Sequence, residues 1–251
     1  MSLITFDYFE KNSTIKILGN KFDKKSLEYL LELLKKIKNS HIKNVKFIGS
    51  FNSELLLETF LNEKKNKNID QVLDLFHSIC KIIQESKVFF TSEISGLVKG
   101  PALEIALSCN YIRASNDTII EFNQIGFGIM PFFGTAQRLL RLIGYQSTLK
   151  ALIIKKKFTF DESLKLGLIN NEKDSLAEIK NKKIVWGQNF TNTFIFFNSK
   201  SLSICKDQKN QYKALLSTIF EGCVCHYEKS LEIEKRWLKW LITKEMSYIK
   251  A

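Results

Sequence analysis

The stretch EISGLVKGPALEIALSCNYIRASNDTIIEFNQIGFGIMPFFGTAQRLLRLIG, from Glu93 to Gly144, decides how the rest of the chain is interpreted. It contains both prolines of the chain, Pro101 and Pro131, and six of its eleven glycines. Because glycine and proline interrupt regular backbone, we expect several tight turns here. The residues before the first turn are rich in Val, Phe, Thr and Ile, which is typical of a strand.

A helix is predicted directly after Gly100. Pro101 suits the first turn of a helix, where its missing N–H would have had no partner. Apolar residues then recur at helical spacing, and Glu104 is expected in the first turn, where its charge meets the positive end of the helix dipole. A glycine turn that leads into a helix is a natural place to bind an oxyanion or a phosphate.

The segments before this stretch alternate between strand and helix patterns. Strands are predicted at residues 15–18, 45–48 and 87–94. Asp23 is placed to cap a helix whose apolar residues are Leu27, Leu30, Leu31, Leu34 and Ile37. A second amphipathic helix carries Val72, Phe76, Ile79 and Ile83. This alternation indicates an α/β fold with helices packed on a sheet.

The segments after Gly144 are predicted to be mostly helical. Gly167 is placed to end a helix that begins near Phe160. Residues 209–249 are also predicted to be helical, with an apolar stripe of Ile233, Trp237, Trp240 and Leu241. We therefore expect a core of residues 1–190 and a helical C-terminal segment of residues 191–251.

The net charge and the cysteines restrict the partners and the cellular compartment that we expect for the protein. A net charge of +12 favours anionic partners, although a solvated lysine-rich surface accounts for the same number. The five cysteines are odd in number and widely spaced, which argues against a disulfide framework and for a reducing compartment such as the cytoplasm. The three histidines do not complete a metal set with Cys223 and Cys225, so no metal site is predicted. No apolar run approaches the ~20 residues of a membrane span.

Several common motifs are absent from the sequence. It has no GxGxxG for a dinucleotide, no GxxxxGK[ST] for a nucleotide phosphate and no GxSxG for a nucleophilic serine. It also fits no helix-turn-helix or zinc-finger pattern. No cofactor is therefore predicted.

A series of short motifs runs through and beyond the opening stretch: Gly96, Gly100, Glu104-Ile-Ala-Leu, Cys109-Asn110, Ala114-Ser115, Gly128-Ile-Met-Pro131, Gly134-Thr-Ala-Gln-Arg138-Leu, Arg141-Leu-Ile-Gly144 and Gly167-Leu-Ile169. In this order and spacing the chain resembles the crotonase family of enoyl-CoA hydratases and isomerases. Residues 212–238 resemble the segment that closes the crotonase domain of multifunctional fatty-acid oxidation enzymes, in which a 3-hydroxyacyl-CoA dehydrogenase domain follows. Because the chain stops at Ala251, about where that linker would run on, we expect a fragment or the product of a split gene.

The resemblance implies a spiral of ββα units that binds an acyl-CoA thioester. It also implies two catalytic glutamates that add water across a conjugated double bond. The first falls on Glu104 and the second on Gln124. A glutamine can hold water by hydrogen bonds, but it cannot transfer a proton at neutral pH.

The resemblance further implies an oxyanion hole of two backbone N–H groups that hold the thioester oxygen. One donor falls on Pro101, in the turn after Gly100, and proline has no N–H. The amide of Ala102 is an alternative donor if the turn rearranges. The other donor falls on Ser53, by a looser alignment.

These residues predict an acyl-CoA-binding, enoyl-CoA hydratase-like domain of fatty-acid β-oxidation whose activity is impaired by Gln124 and Pro101. The alternative is a catalytically degenerate domain with a binding or structural role. An isomerase with one carboxylate is disfavoured, because isomerases of the family commonly keep the position of Gln124. Nucleic-acid binding rests on charge alone, and neither nucleic acid nor a membrane is expected as a partner. The expected protein partners are a second copy of the chain or a downstream dehydrogenase domain.

Overall fold

The computed structural model describes residues 3–9, 12–55, 69–155, 157–170, 189–204 and 209–248. The chain divides into two compact units. Unit 1 consists of Met1–Glu121 and Phe158–Lys180, and unit 2 consists of Phe122–Lys157 and Asn181–Ala251. The boundary predicted at residue 190 from sequence stays a prediction.

Most of the described β-structure belongs to unit 1. The strands are β1 (Ile4–Phe9), β2 (Asn12–Ile17), β3 (Lys21–Phe22), β4 (Asn44–Gly49), β5 (Glu54–Leu55), β6 (Phe89–Ile94), β7 (Leu97–Lys99), β8 (Tyr111–Ala114), β9 (Ile119–Glu121) and β10 (Lys157–Thr159). Five of them form a sheet in the order β1-β2-β4-β6-β8, in which β1 and β2 are antiparallel and the other neighbours are parallel. A second sheet has the order β10-β9-β7, and β3 pairs with β5.

Two amphipathic helices supply the crossovers that parallel strands need. They are α1 (Lys24–Lys38), between β3 and β4, and α2 (Ile69–Glu85), before β6. The Asp23 carboxylate accepts the Ser26 N–H at 2.8 Å, which confirms the predicted N-cap. The predicted apolar face of α2 is buried as expected, whereas α1 buries Leu33 where Leu31 was predicted.

The predicted strands correspond to β2, β4 and β6, with bounds that differ by a few residues. Their inward side chains form the core of unit 1, where the rings of Phe47 and Phe90 lie 6.0 Å apart. Strand β1 was not predicted from sequence. Among the described strands it pairs only with β2, and Tyr8 is 63% exposed, so its apolar pattern is weak.

Two short helices complete the described part of unit 1, α3 (Gly100–Ala106) and α5 (Phe160–Leu166). A capping box of Thr159 and Glu162 begins α5, and Gly167 ends it with a φ of 76°. The predicted helix end at Gly167 is therefore confirmed.

The described elements of unit 2 are helices, apart from Lys157 at the start of β10. The unit contains a 3-10 helix (Gln124–Phe127), α4 (Thr135–Leu149), a π-helical segment (Lys150–Lys155), α6 (Phe190–Ile204), α7 (Lys209–Gly222) and α8 (Tyr227–Tyr248). Helix α7 packs against α4, α6 and α8. The predicted C-terminal helical segment is confirmed as three helices, although its residues 205–208 and 249–251 lie outside the described part.

The apolar stripe predicted for α8 is partly wrong. Leu241 is fully buried, but Ile233, Trp237 and Trp240 are only half-buried. The buried face instead carries Glu234, Leu238, Leu241 and Ile242. A glutamate thus occupies a core position, and periodicity of apolar residues alone does not find it. Among the described residues, no helix is both long and apolar enough to cross a membrane.

Candidate active site

The candidate site in unit 1 is built on the tight turn that leads from β7 into α3, residues 99–102, here called the Gly100 turn. Gly100 is the first residue of α3 and has a φ of 69°, a conformation that favours glycine. A Cβ at this position would overlap the carbonyl oxygen of Ser53 and lie 2.8 Å from its carbonyl carbon. Only glycine therefore allows the two backbone segments to approach so closely. Pro101 lies in the first turn of α3, as the sequence predicted.

Glu104 is wholly buried within α3, with 0% of its surface exposed. Because the helix begins at Gly100, Glu104 is its fifth residue, and the first turn contains no acidic residue. The predicted placement of this carboxylate in the first turn is therefore wrong: it lies in the second. The backbone carbonyl of Glu104 accepts a hydrogen bond from the Ser108 hydroxyl at 2.9 Å.

Ser53 lies directly against the Gly100 turn, although the two are almost fifty residues apart in sequence. Its backbone N–H donates to the Lys99 carbonyl at 3.2 Å. Its hydroxyl donates to the same carbonyl at 3.0 Å and accepts the Ala102 N–H at 2.9 Å. The residue is 1% exposed. Ser53 and the Gly100 turn are thus brought together by three hydrogen bonds.

These bonds use the amides that were candidates to hold a thioester oxygen. The Ser53 N–H is bonded to Lys99, the Ala102 N–H is bonded to the Ser53 hydroxyl, and Pro101 has no N–H. In this conformation, none of the three backbone positions presents a free donor. The Ser53 hydroxyl is the acceptor of the Ala102 N–H.

Lys99 was not singled out from the sequence, yet it joins several parts of the site. Its carbonyl accepts both bonds from Ser53, and its Nζ lies 3.2 Å from Glu54 Oε1. The Lys99 side chain is 16% exposed and that of Glu54 49%. A role carried by a backbone carbonyl leaves no signal in residue type, so sequence reasoning could not have found it.

Gln124 belongs to unit 2, where it is the first residue of the 3-10 helix. It is 4% exposed, and its backbone carbonyl accepts the Ile129 N–H at 3.2 Å. The catalytic position that the resemblance assigns to Gln124 stays a prediction.

Two cavities among the described residues are lined by residues other than Ser53, Gly100 and Glu104. One of about 660 Å³ in unit 2 is lined by Gln146, Ser147, Lys150, Ile154, Asn189, Asn192, Thr193, Phe196 and Phe197. One of about 380 Å³ in unit 1 is lined by Asn116, Thr159, Phe160 and Asp161.

No metal site is evident in the described part of the chain, where no three His, Cys, Asp or Glu side chains are grouped to hold an ion. The four cysteines described there are free thiols. Burial raises the pKa of Cys223 to about 12, so this thiol is not a nucleophile at neutral pH.

A second glycine turn, residues 133–135, lies in unit 2 and is here called the Gly134 turn. Gly134 has a φ of 76° and precedes α4. The carboxylate of Glu234, from α8, accepts the Gly134 N–H at 2.7 Å and the Gln137 N–H at 3.4 Å. Burial raises the pKa of Glu234 to about 7, against the lowering effects of the Gly134 N–H and the nearby Arg138.

The chain is similar to known proteins in sequence and in fold. Residues 18–240 match the enoyl-CoA hydratase/isomerase family. A peroxisomal fatty acid beta-oxidation multifunctional protein of Arabidopsis thaliana is 29% identical over 37% of this chain and 13% of its own length. A short-chain-enoyl-CoA hydratase of Clostridium acetobutylicum is 35% identical over 31% of this chain and 30% of its own length. The chain therefore spans less than a third of these curated relatives.

Solved structures resemble the chain over most of its length. An enoyl-CoA hydratase from Bacillus halodurans has a TM-score of 0.64 at 21% identity, and covers 96% of this chain and 95% of its own. One from Mycobacterium avium subsp. paratuberculosis has a TM-score of 0.65 at 13% identity, and covers 96% of this chain and 94% of its own. At these identities the likeness shows the fold, and the α/β fold class predicted from sequence is confirmed.

Proposed function

Because the chain belongs to the enoyl-CoA hydratase/isomerase family, we propose that it is an acyl-CoA-binding domain of fatty-acid β-oxidation with impaired hydration of trans-2-enoyl-CoA. The observation that carries this proposal is the fully buried Glu104 in the helix that follows the Gly100 turn. The resemblance assigns a catalytic glutamate of the family to this position, and a carboxylate occupies it.

Glu104 is proposed to take a proton from the water that attacks the β-carbon of the substrate. In the paired mechanism of the family, the second carboxylate supplies the proton for the α-carbon. Gln124 cannot supply it, although its amide can orient the water. The proton that Glu104 takes from the water therefore has to pass on to the α-carbon, so that one water molecule provides both the hydroxyl group and the proton. The loss of a general acid or base typically lowers a rate by about 10²–10⁴.

Pro101 adds a second impairment at the thioester oxygen. Removal of one oxyanion donor typically costs about 10²–10³ in rate. With a typical enzyme turnover near ~10 s⁻¹ as reference, the loss of proton transfer alone lowers kcat to below about 0.1 s⁻¹. Any further loss at the oxyanion hole lowers it again.

The test is hydration of crotonyl-CoA at high enzyme concentration, with Glu104→Ala as the blank. We expect slow hydration by the wild type and none above background by Glu104→Ala. Glu28→Ala, which removes an exposed carboxylate from α1, is the matched control and retains the wild-type rate. A wild-type rate equal to that of Glu104→Ala would refute the hydratase proposal.

A second candidate is a catalytically degenerate domain that binds acyl-CoA or serves a structural role. The observation that favours it is the use of the Ser53 and Ala102 amides within the protein. This candidate predicts that the wild type shows no hydration, and that Pro101→Gly combined with Gln124→Glu restores it. Turnover by the wild type above the Glu104→Ala blank would contradict it.

The proposed partners follow from the same family membership. Besides the acyl-CoA thioester, we propose a second copy of the chain or a 3-hydroxyacyl-CoA dehydrogenase domain, as in the multifunctional enzymes that the chain resembles. The molar mass in solution, with and without added dehydrogenase domain, tests both. The cytoplasmic location inferred from cysteine usage stays a prediction.

A further inference from the structure

The Ser53 hydroxyl is held in place by two hydrogen bonds. It gives its only proton to the Lys99 carbonyl at 3.0 Å and accepts the Ala102 N–H at 2.9 Å. With 1% of the residue exposed, no water competes freely for either bond. The hydroxyl therefore has no proton left to offer a ligand, and it occupies the N–H that a ligand oxygen would seek.

The Ala102 amide is the first N–H of the Gly100 turn beyond Pro101. A donor that polarises a carbonyl oxygen must lie about 2.7–3.1 Å from it. The Ser53 oxygen already stands at 2.9 Å from this nitrogen. Two oxygen atoms cannot both lie on the axis of one N–H bond, so one of them excludes the other.

We propose that Ser53 is an intramolecular competitor of the acyl group: its hydroxyl fills the position of the thioester oxygen and lowers the affinity for acyl-CoA relative to free CoA. This inference rests on the proposed binding of acyl-CoA. It makes Ser53 a residue that determines specificity, through its side chain, at a position where the resemblance assigned a role only to its backbone amide.

The close approach of the two backbone segments explains why the hydroxyl stays in this place. Gly100 has no Cβ, and a Cβ there would lie 3.3 Å from Ser53 Oγ and overlap the Ser53 carbonyl oxygen. Ser53 is thus pressed against the start of α3. A purely structural role, in which the hydroxyl only caps the Ala102 N–H, predicts lower stability without Ser53 Oγ but no change in ligand preference.

The experiment measures the affinities of butyryl-CoA and of free CoA by isothermal titration calorimetry. Butyryl-CoA has the thioester oxygen but no double bond to hydrate, and CoA lacks the acyl group. The proteins are the wild type, Ser53→Ala and the matched control Ser92→Ala. Ser92 is fully buried in β6, and its hydroxyl has no hydrogen-bond partner among the described residues.

Ser53→Ala is expected to bind butyryl-CoA about 2- to 10-fold more tightly than the wild type, the range that one neutral hydrogen bond contributes. Its affinity for CoA is expected to stay unchanged, and Ser92→Ala should match the wild type for both ligands. Ser53→Gly also removes the hydroxyl and serves as the second variant if Ser53→Ala does not fold.

An unchanged ratio of the two affinities would overturn the inference while CoA binding still supported the proposed function. Weaker binding of butyryl-CoA by Ser53→Ala would also overturn it, because the hydroxyl would then be a donor to the thioester. If the wild type and the variant bind neither ligand, the proposed function fails together with the inference. Binding of butyryl-CoA by the variant alone would support complete blockage by Ser53.

Discussion

The Gly100 turn of unit 1 and the Gly134 turn of unit 2 both have backbone N–H groups at the start of a helix that need an acceptor, and the two acceptors differ. Each has a glycine with positive φ, 69° and 76°, and each leads into a helix that lacks a side-chain cap of its own. The Gly100 turn is capped by the neutral hydroxyl of Ser53, which accepts one N–H. The Gly134 turn is capped by the carboxylate of Glu234, which accepts two.

The two acceptors differ in how much free energy it costs to displace them from the turn. A buried carboxylate that accepts backbone N–H groups cannot leave without exposing a charge and stranding its donors. A neutral hydroxyl can yield to another oxygen at the cost of one ordinary hydrogen bond. The cap of the Gly100 turn is therefore the easier of the two to displace, although a buried glutamate lies near both turns.

The largest effect is expected from loss of the carboxylate cap. Glu234→Ala strands the N–H groups of Gly134 and Gln137, whose bonds to the carboxylate are both buried. Leaving two buried donors without an acceptor costs ~2–6 kcal/mol in free energy of unfolding. Urea denaturation measures it, and Glu228→Ala, at an exposed position of the same helix, should change stability by less than ~0.5 kcal/mol. A small loss of stability in Glu234→Ala would mean that the carboxylate holds the Gly134 turn no more firmly than the Ser53 hydroxyl holds the Gly100 turn.

The two glycines should respond to the same substitution unequally. Gly100→Ala sets a Cβ into the backbone of Ser53, whereas Gly134→Ala sets one 2.7 Å from Cδ2 of Leu231, the end of a flexible side chain. Both substitutions strain the left-handed backbone by ~1–2 kcal/mol. Overpacking against backbone should bring the cost of Gly100→Ala to ~2–4 kcal/mol, and that of Gly134→Ala should stay near ~1–2 kcal/mol. Equal losses in thermal or urea denaturation would mean that Ser53 is not pressed against the turn.

The stability of the Gly134 turn should depend on pH. Because the pKa of Glu234 is raised in the folded state, from 4.5 to about 7, its protonated form favours folding. That contribution is fully present below pH 4.5 and is lost as the pH rises through 7. The rise in pKa corresponds to ~3 kcal/mol.

Glu234→Gln removes this titration and keeps an oxygen that accepts hydrogen bonds. The variant should match the wild type near pH 4.5 and become relatively more stable, by up to ~3 kcal/mol, above pH 7. Urea denaturation across this range measures the difference, and the other titrating groups cancel in it. If the free energies of unfolding of the two proteins differ by the same amount at every pH, the carboxylate keeps an ordinary pKa.

Local features of the sequence were enough to predict most elements of the fold. Apolar spacing found α1 and α2, Asp23 and Gly167 marked a beginning and an end, and Pro101 marked the start of α3. Each of these signals acts within a few residues along the chain. Family resemblance then added the residues of the candidate site, of which Ser53 meets the Gly100 turn.

What escaped prediction depends on contacts between distant residues. The edge strand β1 is defined by its pairing with β2, and the cap of the Gly134 turn comes from α8, 100 residues away. The spacing of apolar residues in α8 predicts that Glu234 lies at the surface. Its burial depends on its tertiary contacts, which the spacing does not show. The position of Glu104 was missed by one residue, since the helix begins at Gly100 before its proline, and this places Glu104 just past the first turn.

The smallest effect is expected from loss of the neutral cap. Ser53→Ala leaves the Ala102 N–H without its acceptor and should lower the free energy of unfolding by ~1 kcal/mol, as for a helix cap. Ser92→Ala removes a buried hydroxyl that has no partner among the described residues, so it should leave stability unchanged or slightly raised. Urea denaturation of both variants gives the comparison. If Ser53→Ala costs as much as Glu234→Ala, the Gly100 turn is fixed as firmly as the Gly134 turn, and a thioester oxygen could not displace the hydroxyl. A loss near ~1 kcal/mol would mean that one hydrogen bond from a ligand oxygen is enough to replace the bond between the Ser53 hydroxyl and the Ala102 N–H.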